Sequence, residues 1–350
     1  MAAGYVCVRV TDMRGIDLDR YSFDFDLTFA ALVVHPDGAV LHRYGGRDHH
    51  SADARLSMTS LVTFLKAAQA RLTKEAATKT SKTTPRTLDE IPVWRDKMAK
   101  RGKKLSCYHC HFVFDAEREQ HRADGTWDRS KIWRWPTPER VGLSLEVERL
   151  GRIGAVEAKT PAAKAGLKPG DRLLKLGDQP ILTALDVSYV LERASPKPTK
   201  IPIEFRRAGK THQATLKLAA RWKEGTPLEF SWRPSKWQLA PRPGFGGRQL
   251  SAGERKAFGL PAKGFAFRVG YIVDWGGVPD KRYGRAVRKA GIRKGDVVVG
   301  IEGVKLKGPE HLHSWWRLTR KPGDEVVLLV IKKGTQKPRK VTLVVLAPKK

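Results

Sequence analysis

The stretch Pro161-Ala162-Ala163-Lys164-Ala165-Gly166-Leu167-Lys168-Pro169-Gly170-Asp171 decides the fold of the middle of this chain. Its alanine-rich first half predicts a short helix, which Gly166 ends because glycine adopts the left-handed backbone of a helix C-terminus without strain. A Pro-Gly-Asp turn follows, and short strands are predicted on both sides of the next turn, Gly177-Asp178. The stretch therefore indicates a mixed unit of short strands and short helices.

The sequence on either side completes this unit. Gly142 to Val147 alternates apolar and polar residues, as expected of a half-buried strand. Downstream, the pattern predicts a helix from about Ala184 to Ala194 and then a hairpin, with strands Ile201 to Phe205 and Gln213 to Leu218. This order resembles a bacterial PDZ domain of the type appended to periplasmic serine proteases, and it assigns residues 141–220 to a first PDZ domain.

The central signature occurs twice. The segment Arg288 to Val298 aligns with the segment that begins at Ala163, and Gly300 to Val304 matches the strand and turn that follow. An internal repeat indicates two copies of one structural unit. The sequence therefore predicts a second, divergent PDZ domain at residues 248–347, with a looser glycine loop at 263–266. A proline- and tryptophan-rich bridge at residues 221–247 joins the two.

The PDZ resemblance implies a peptide-binding groove. Such domains add the C-terminus of a partner protein to a strand edge, and the backbone of a glycine loop holds its carboxylate. Gly142 suits that loop because its backbone can approach a ligand closely. The candidate peptide-binding residues are Val141, Gly142, Leu143, Ser144 and Leu145 on the loop and strand, and Val187, Val190 and Leu191 on the helix. The alternative is that the apolar members are ordinary core.

The first 72 residues predict a strand from Tyr5 to Val10, with Cys7 buried in it, and a second strand from Leu27 to Val34. A turn at Pro36-Asp37-Gly38 returns the chain through Ala39 to Tyr44, and a helix that ends near Leu72 closes the segment. The order resembles the C-terminal half of a thioredoxin fold, without its front half. Residues 1–72 are therefore expected to form a partial thioredoxin-like α/β domain, followed by a basic linker at residues 73–104.

The segment 105–140 carries Cys107-Tyr108-His109-Cys110-His111. A CxxC followed by histidine is the form of a c-type haem site, with thioethers from Cys107 and Cys110 and an axial bond from His111. His121 or Met98 would be the second axial ligand. A redox dithiol is the first alternative. Two further alternatives are a zinc site, formed by the two cysteines and two of three nearby histidines, and a segment that binds no cofactor. No metal ligand set is assigned.

Composition limits the possible partners. The 67 Lys and Arg residues outnumber the 36 Asp and Glu residues, giving a formal charge of +31, yet the sequence contains no recognisable nucleic-acid-binding module. No stretch reaches the roughly 20 apolar residues of a membrane span. The serines lack the context of a protease nucleophile, so proteolysis is not expected, and an enzymatic role remains open only through the cysteine motif.

Four sequence features resemble a bacterial family of thioredoxin-fold and PDZ fusion proteins, some of them selenoproteins. They are VRVTDMRGIDL, DGAVLHRYGGRD, CYHCH and the two GLKPGD-like repeats. The resemblance implies an α+β multidomain chain that binds protein or peptide C-termini outside the cytoplasm, with an associated redox or haem segment. The alternative is a thiol-disulfide oxidoreductase or electron-transfer protein whose PDZ domains only recruit the partner. The chain shows no signal peptide after Met1, which predicts a cytoplasmic protein if that residue is the true start.

Overall fold

The computed structural model describes residues 4–72, 84–101, 107–275 and 278–347. The chain divides into a first unit, Met1–Gly225, and a second unit, Thr226–Lys350. The segments predicted as the thioredoxin-like part, the CxxCH part and the first PDZ domain all lie in the first unit. Within the described ranges, no helix is both long and apolar enough to cross a membrane.

The first unit begins with a hairpin and a helix. Strand β1 (Ala30–Val34) pairs antiparallel with β2 (Val40–Gly45), and helix α1 (Met58–Leu72) follows, as the sequence predicts. The predicted strand at residues 5–10 does not form: in the described part of the chain it pairs with no strand, and Val6 and Val8 are 94% and 80% exposed. Cys7 is likewise exposed rather than buried. An alternating pattern forms a strand only where a neighbouring strand accepts its backbone bonds.

Two helices and an aromatic cluster come next. Helix α2 (Pro92–Arg101) lies in the segment predicted as a linker, of which residues 73–83 and 102–104 lie outside the described residues. Its Trp94 is buried, with ring centroids 5.2 Å from Phe112 and 5.4 Å from Tyr108. Phe112 begins helix α3 (Phe112–Ala123). The apolar cluster around these rings anchors α2 to the first unit.

The rest of the first unit follows the predicted PDZ order. Strands β3 (Leu143–Leu145) and β4 (Ile153–Val156) pair with each other and lead to the short helix α4 (Pro161–Lys164). Strands β5 (Arg172–Leu176), β6 (Gln179–Pro180), β7 (Thr199–Arg207) and β8 (Lys210–Leu218) form a sheet in the order β6-β5-β7-β8. Helix α5 (Ala184–Arg193) covers it, and its Val187 and Leu191 are fully buried in the core. The predicted helix and hairpin are therefore present.

The second unit is a five-stranded antiparallel sheet with helices. Its elements are α6 (Pro227–Phe230), β9 (Phe245–Gln249), α7 (Ala252–Ala257), β10 (Phe267–Ile272), α8 (Val278–Lys289), β11 (Val297–Ile301), α9 (Pro309–Thr319), β12 (Glu325–Ile331) and β13 (Pro338–Val344). The sheet order is β13-β12-β11-β10-β9. Most of the predicted bridge belongs to this unit, because Phe230 and Leu239 are buried in it. Its first strand begins at Phe245, before the predicted boundary at residue 248.

The sequence repeat has a structural counterpart. In the first unit, Ile153 N–H donates to Asp171 O, and Gly170 N–H donates to Ile153 O, both at 2.8 Å. The second unit repeats both bonds at the same length between Val269, Gly295 and Asp296.

A glycine with a left-handed backbone also recurs. It is Gly142 (φ +85°) directly before β3 and Gly244 (φ +80°) directly before β9. Residues 263–266, predicted to be the second glycine loop, instead lie between α7 and β10.

Candidate functional site

A cleft lies between the end of β3 and the start of α5. Strand β3 has β4 on one edge, and no strand among the described residues pairs with its other edge. The cleft is lined by Leu145, Glu146, Val147 and Leu150 on the β3 side, by Leu182, Thr183 and Ala184 on the α5 side, and by Tyr44, Gly45 and Arg55 from the N-terminal elements. An unpaired strand edge in a cleft can accept an extended peptide through its backbone groups.

The glycine loop at the start of β3 has a tightly specified geometry. A 3₁₀ helix, Pro138–Val141, ends at Gly142, whose N–H donates to Glu139 O at 3.0 Å. A Cβ at position 142 would lie 2.1 Å from Oγ1 of Thr160. Because the backbone is also left-handed here, only glycine fits without displacing Thr160, the residue that caps α4.

Most of the predicted groove side chains are core. Val141, Leu143, Val187 and Leu191 are each at most 1% exposed and pack together in the interior of the domain. Because these side chains are in the core, the four residues could contact a peptide only through their backbone N–H and C=O groups. This is the outcome that the core alternative predicted for their side chains, since buried aliphatics mostly serve packing.

The remaining predicted groove residues are less buried. Ser144 and Leu145 are half-buried, and Leu145 lines the cleft. Val190 is also half-buried, but it lies on the side of α5 that faces the turn at Gly177. Leu145 is therefore the one predicted side chain that lines the cleft.

Sequence reasoning missed the contacts between the N-terminal elements and the segments on either side of β3. The Arg55 Nη2 atom lies 2.6 Å from Oε2 of Glu139, and Ser57 Oγ donates to Glu148 at 2.5 Å. These bonds join the connection between β2 and α1 to the 3₁₀ helix before β3 and to the bend after it. The one local signal was the Gly45-Gly46 pair at the end of the hairpin, where close backbone approach requires glycine: a Cβ on Gly46 would lie 2.6 Å from Cδ of Arg55.

The same N-terminal elements are bonded to the start of α5. Asp186 and Thr183 form a capping box, in which each side chain accepts a backbone N–H of the other's residue. The Asp186 carboxylate also accepts the N–H of Arg43 at 2.8 Å and lies 3.2 Å from Nδ1 of His42. The Thr183 hydroxyl donates to the Arg43 carbonyl. Strand β2 is thus fixed against the N-terminus of α5.

The two cysteines of the CxxCH motif lie immediately before α3 and are free thiols. Burial raises the pKa of Cys110. Burial also lowers the pKa of His111, and the charge of His109, whose ring lies parallel at a centroid distance of 5.7 Å, lowers it further.

The chemistry of this donor set fits a c-type haem in part. Cys107, Cys110 and His111 lie within five consecutive residues. Met98 packs against the same apolar cluster as Cys110. His121 is ten residues further along α3, about 15 Å at the helical rise, and hydrogen bonds with Thr126. Of the two predicted second ligands, Met98 is the one that packs against the apolar cluster of the motif. Across the described residues, no three His, Cys, Asp or Glu side chains are grouped so that they could hold a metal ion.

Comparison with known proteins defines the class of the central domain. Residues 152–207 match the family model of a PDZ domain. The chain is also 45% identical, over 64 residues, to a protein described as a zinc metalloprotease of Neisseria meningitidis serogroup A. That match covers 18% of this chain and 14% of the relative's length.

A crystal structure of the serine endoprotease from Yersinia pestis matches with 23% identity and a TM-score of 0.20. It covers 22% of this chain and 27% of that chain. This chain spans only a small share of the length of either protein.

Proposed function

We propose that this chain binds the C-terminal tail of a partner protein in the cleft between β3 and α5 of its PDZ domain. The tail would add to the unpaired edge of β3 and leave its carboxylate at the loop Val141-Gly142-Leu143. The PDZ family match supports peptide binding as the general activity. The observation that carries the proposal is the left-handed Gly142 at the start of a strand whose second edge no described strand covers.

The charge beside the loop suits an anionic chain end. Arg140 directly precedes the loop, and burial lowers its pKa while the charge of Glu157 acts in the opposite direction. A partly desolvated guanidinium attracts a carboxylate more strongly than one in bulk water. The formal charge of +31 adds a general attraction for acidic partners at low salt.

A variant that fills the cleft tests the proposal. Ala184 lines the cleft at the first position of α5, where Ala184→Arg would place a long side chain in the path of the peptide. Ala123→Arg makes the same change at the exposed end of α3 and serves as the matched control. Against a random heptapeptide library displayed with free C-termini, the wild type and the Ala123→Arg protein should enrich the same tails. Enrichment of those tails by Ala184→Arg as well would contradict the proposed groove.

The second unit forms part of the proposal as a second, divergent PDZ domain. Its support is the shared element order, the recurring backbone bonds of Asp171 and Asp296, and the shared left-handed glycines. The corresponding cleft would lie between β9 and α9. A tail that binds in this second cleft should no longer bind when Phe245 is replaced, but it should still bind the Ala184→Arg protein.

A second candidate function is thiol or haem redox chemistry at the CxxCH motif. Its support is the placement of two free thiols, Cys107 and Cys110, in the five residues before α3. A covalently attached haem would supply one-electron transfer, held by Cys107, Cys110 and His111 with Met98 as the candidate second ligand. The family resemblance alone supports two further parts of the proposal, a partial thioredoxin-like fold for residues 1–72 and a location outside the cytoplasm, and both apply to either candidate function.

Two measurements decide between the redox alternatives. Protein made in a host with cytochrome maturation should gain a haem mass and a reduced absorbance band if haem attaches. A colourless product of unmodified mass eliminates haem. Titration of Cys107 and Cys110 against a glutathione series then tests the dithiol, which requires a defined midpoint that the Cys107→Ser variant lacks.

A further inference from the structure

The CxxCH segment packs against the helix that borders the peptide cleft. Cys110 contacts the apolar cluster that contains Leu185 of α5, and Tyr189 of the same helix packs against it as well. Ala184, next to Leu185, lines the cleft. We infer that a disulfide between Cys107 and Cys110 weakens peptide binding in that cleft. The inference rests on the proposed function, because it links the proposed peptide binding to the dithiol form of the second candidate.

Aromatic rings form the apolar part of this contact. Trp135 is buried in the cluster, and its ring centroid lies 6.2 Å from that of Tyr189 on α5. Tyr108, which lies between the two cysteines, and Phe114, in the first turn of α3, are buried in the same cluster. Protein interiors are close-packed, so a movement of Cys110 displaces its neighbours instead of being absorbed by empty space.

A charged link also joins α3 to α5. Arg134 Nη1 donates to Oε2 of Glu117 on α3 at 2.8 Å, and Arg134 Nε donates to Oε1 of Glu192 on α5 at 2.6 Å. The second oxygen of Glu192 accepts the N–H of Trp135 at 2.8 Å. The two carboxylate side chains are 16% and 15% exposed, so solvent screens these bonds only in part. One guanidinium therefore sets the distance between the two helices.

Oxidation changes the geometry at the start of α3. Both cysteines of the motif are free thiols in this structure. When they form a disulfide, both S–H bonds break and one S–S bond of about 2.05 Å forms. The two electrons and two protons pass to a small disulfide such as oxidised glutathione, which is cleaved to two thiols. Cys110 then loses part of its packing, and α3, which begins two residues later, shifts against α5.

Peptide affinity in the two redox states provides the first test. A tail selected on the reduced protein is titrated into the reduced and the disulfide forms of Cys7→Ser. The reduced form should bind at least about fivefold more tightly. Cys110→Ser, which cannot form the disulfide, should bind equally under both conditions. Equal affinities of the reduced and disulfide forms of Cys7→Ser would overturn the coupling.

Variants of the charged link test how the effect reaches α5. Arg134→Met and Glu192→Gln each remove one side of the link and should reduce the difference in affinity between the redox states. Arg206→Met, at an exposed position on β7, is the matched control and should retain the full difference. A full difference in both link variants would contradict transmission through Arg134.

The coupling is reciprocal, which provides a second measurement. A peptide that binds the reduced form fivefold more tightly must make the dithiol easier to reduce by the same factor. Because a tenfold change corresponds to about 30 mV for this two-electron couple, saturating peptide should raise the midpoint potential by about 21 mV. A midpoint that the peptide leaves unchanged would also overturn the coupling.

Backbone hydrogen exchange separates the coupling from peptide binding, because it needs no ligand. The amides of α5 should exchange faster in the disulfide form than in the reduced form, while those of β7 keep their rates. Equal α5 rates in both forms would contradict the inference. If no tail binds but the α5 rates differ, the coupling stands and the proposed peptide binding fails. If the glutathione series yields no disulfide, the dithiol and the coupling fail while peptide binding is unaffected.

Discussion

Arg207 donates two hydrogen bonds to Asp171, from Nε to Oδ1 and from Nη2 to Oδ2, both at 2.7 Å. The bidentate pair joins the end of β7 to the Pro-Gly-Asp turn, and Asp171 also accepts the N–H of Lys168 at 2.8 Å. In the second unit, Lys332 forms an ion pair with Asp296 at the corresponding turn. The N–H of Arg293 donates to Asp296, as that of Lys168 donates to Asp171. The turn that identifies the domain in the sequence is thus fixed by a carboxylate that is 1% exposed.

Replacing that carboxylate should destabilise the first unit. Asp171→Asn removes the charge that Arg207 contacts and weakens the hydrogen bonds that the buried carboxylate accepts. The free energy of unfolding at pH 7, from urea denaturation, should fall by about 2 kcal/mol. Asp178→Asn, at an exposed turn of the same domain, should change it by less than about 0.5 kcal/mol. Equal stabilities of the two variants would show that the ion pair contributes nothing.

His313 should make stability depend on pH in mildly acidic solution. Burial, together with the charges of Arg317 and Lys236, lowers its pKa to about 3, and its Nδ1 has no hydrogen-bond partner among the described residues. The unfolded chain binds a proton near pH 6.5 and the folded chain does not. Stability should therefore fall as pH drops from about 6.5 towards 3, by at most about 1.4 kcal/mol per pH unit.

Urea denaturation across this pH range checks the effect. In His313→Gln, the free energy of unfolding should depend less on pH, because glutamine does not titrate and the contribution of this imidazole is lost. His50→Gln, at an exposed position in the first unit, should retain the full dependence. An unchanged slope in His313→Gln would show that the imidazole is not kept neutral by the fold.

Two glycines with similar backbones should differ in their tolerance of alanine. Gly142 and Gly209 have φ of +85° and +80°, but a Cβ on Gly142 meets Thr160 whereas one on Gly209 meets nothing within 4 Å. Gly209→Ala should cost only the backbone strain, about 1 kcal/mol, and Gly142→Ala should cost clearly more. Thermal denaturation of both variants measures the difference. Similar losses would mean that Thr160 moves aside freely.

The cysteines should react at different rates with an alkylating reagent. Burial raises the pKa of Cys110, and the thiolate is the reacting form, so Cys110 should be alkylated several-fold more slowly at pH 8 than the exposed Cys7. Peptide mass mapping over time gives both rates in one sample. A Cys110 rate equal to that of Cys7 would contradict the partly buried position of this thiol.

Local patterns accounted for the parts of the fold that short-range chemistry determines. The helix α4 ends and the next strand begins where Gly166 and Gly170 allow left-handed turns. Helix α5 begins after Thr183, whose hydroxyl caps it, within a residue of the predicted start. The hairpin β1–β2 follows from its Asp-Gly turn, in which Asp37 accepts the N–H of Ala39 at 2.8 Å.

Contacts between distant segments could not be derived in the same way. Arg55 and Glu139 are 84 residues apart, and neither has a local pattern that marks it as a partner. The alternation at residues 5–10 fits a strand, but strand formation depends on a neighbouring edge that the sequence does not reveal. Likewise, the burial of Leu143 and Val187 depends on how tightly β3 approaches α5. The candidate site was therefore located by sequence, while its contacts with the N-terminal elements required the structure.

The central claim is that the cleft beside β3 binds a chain terminus through its carboxylate. Calorimetry with a peptide tail selected on the full chain, measured once as the free acid and once as the C-terminal amide, tests this most directly. The acid should bind, and the amide should bind at least about tenfold more weakly, a difference of about 1.4 kcal/mol. Equal affinities for the two forms would contradict the account.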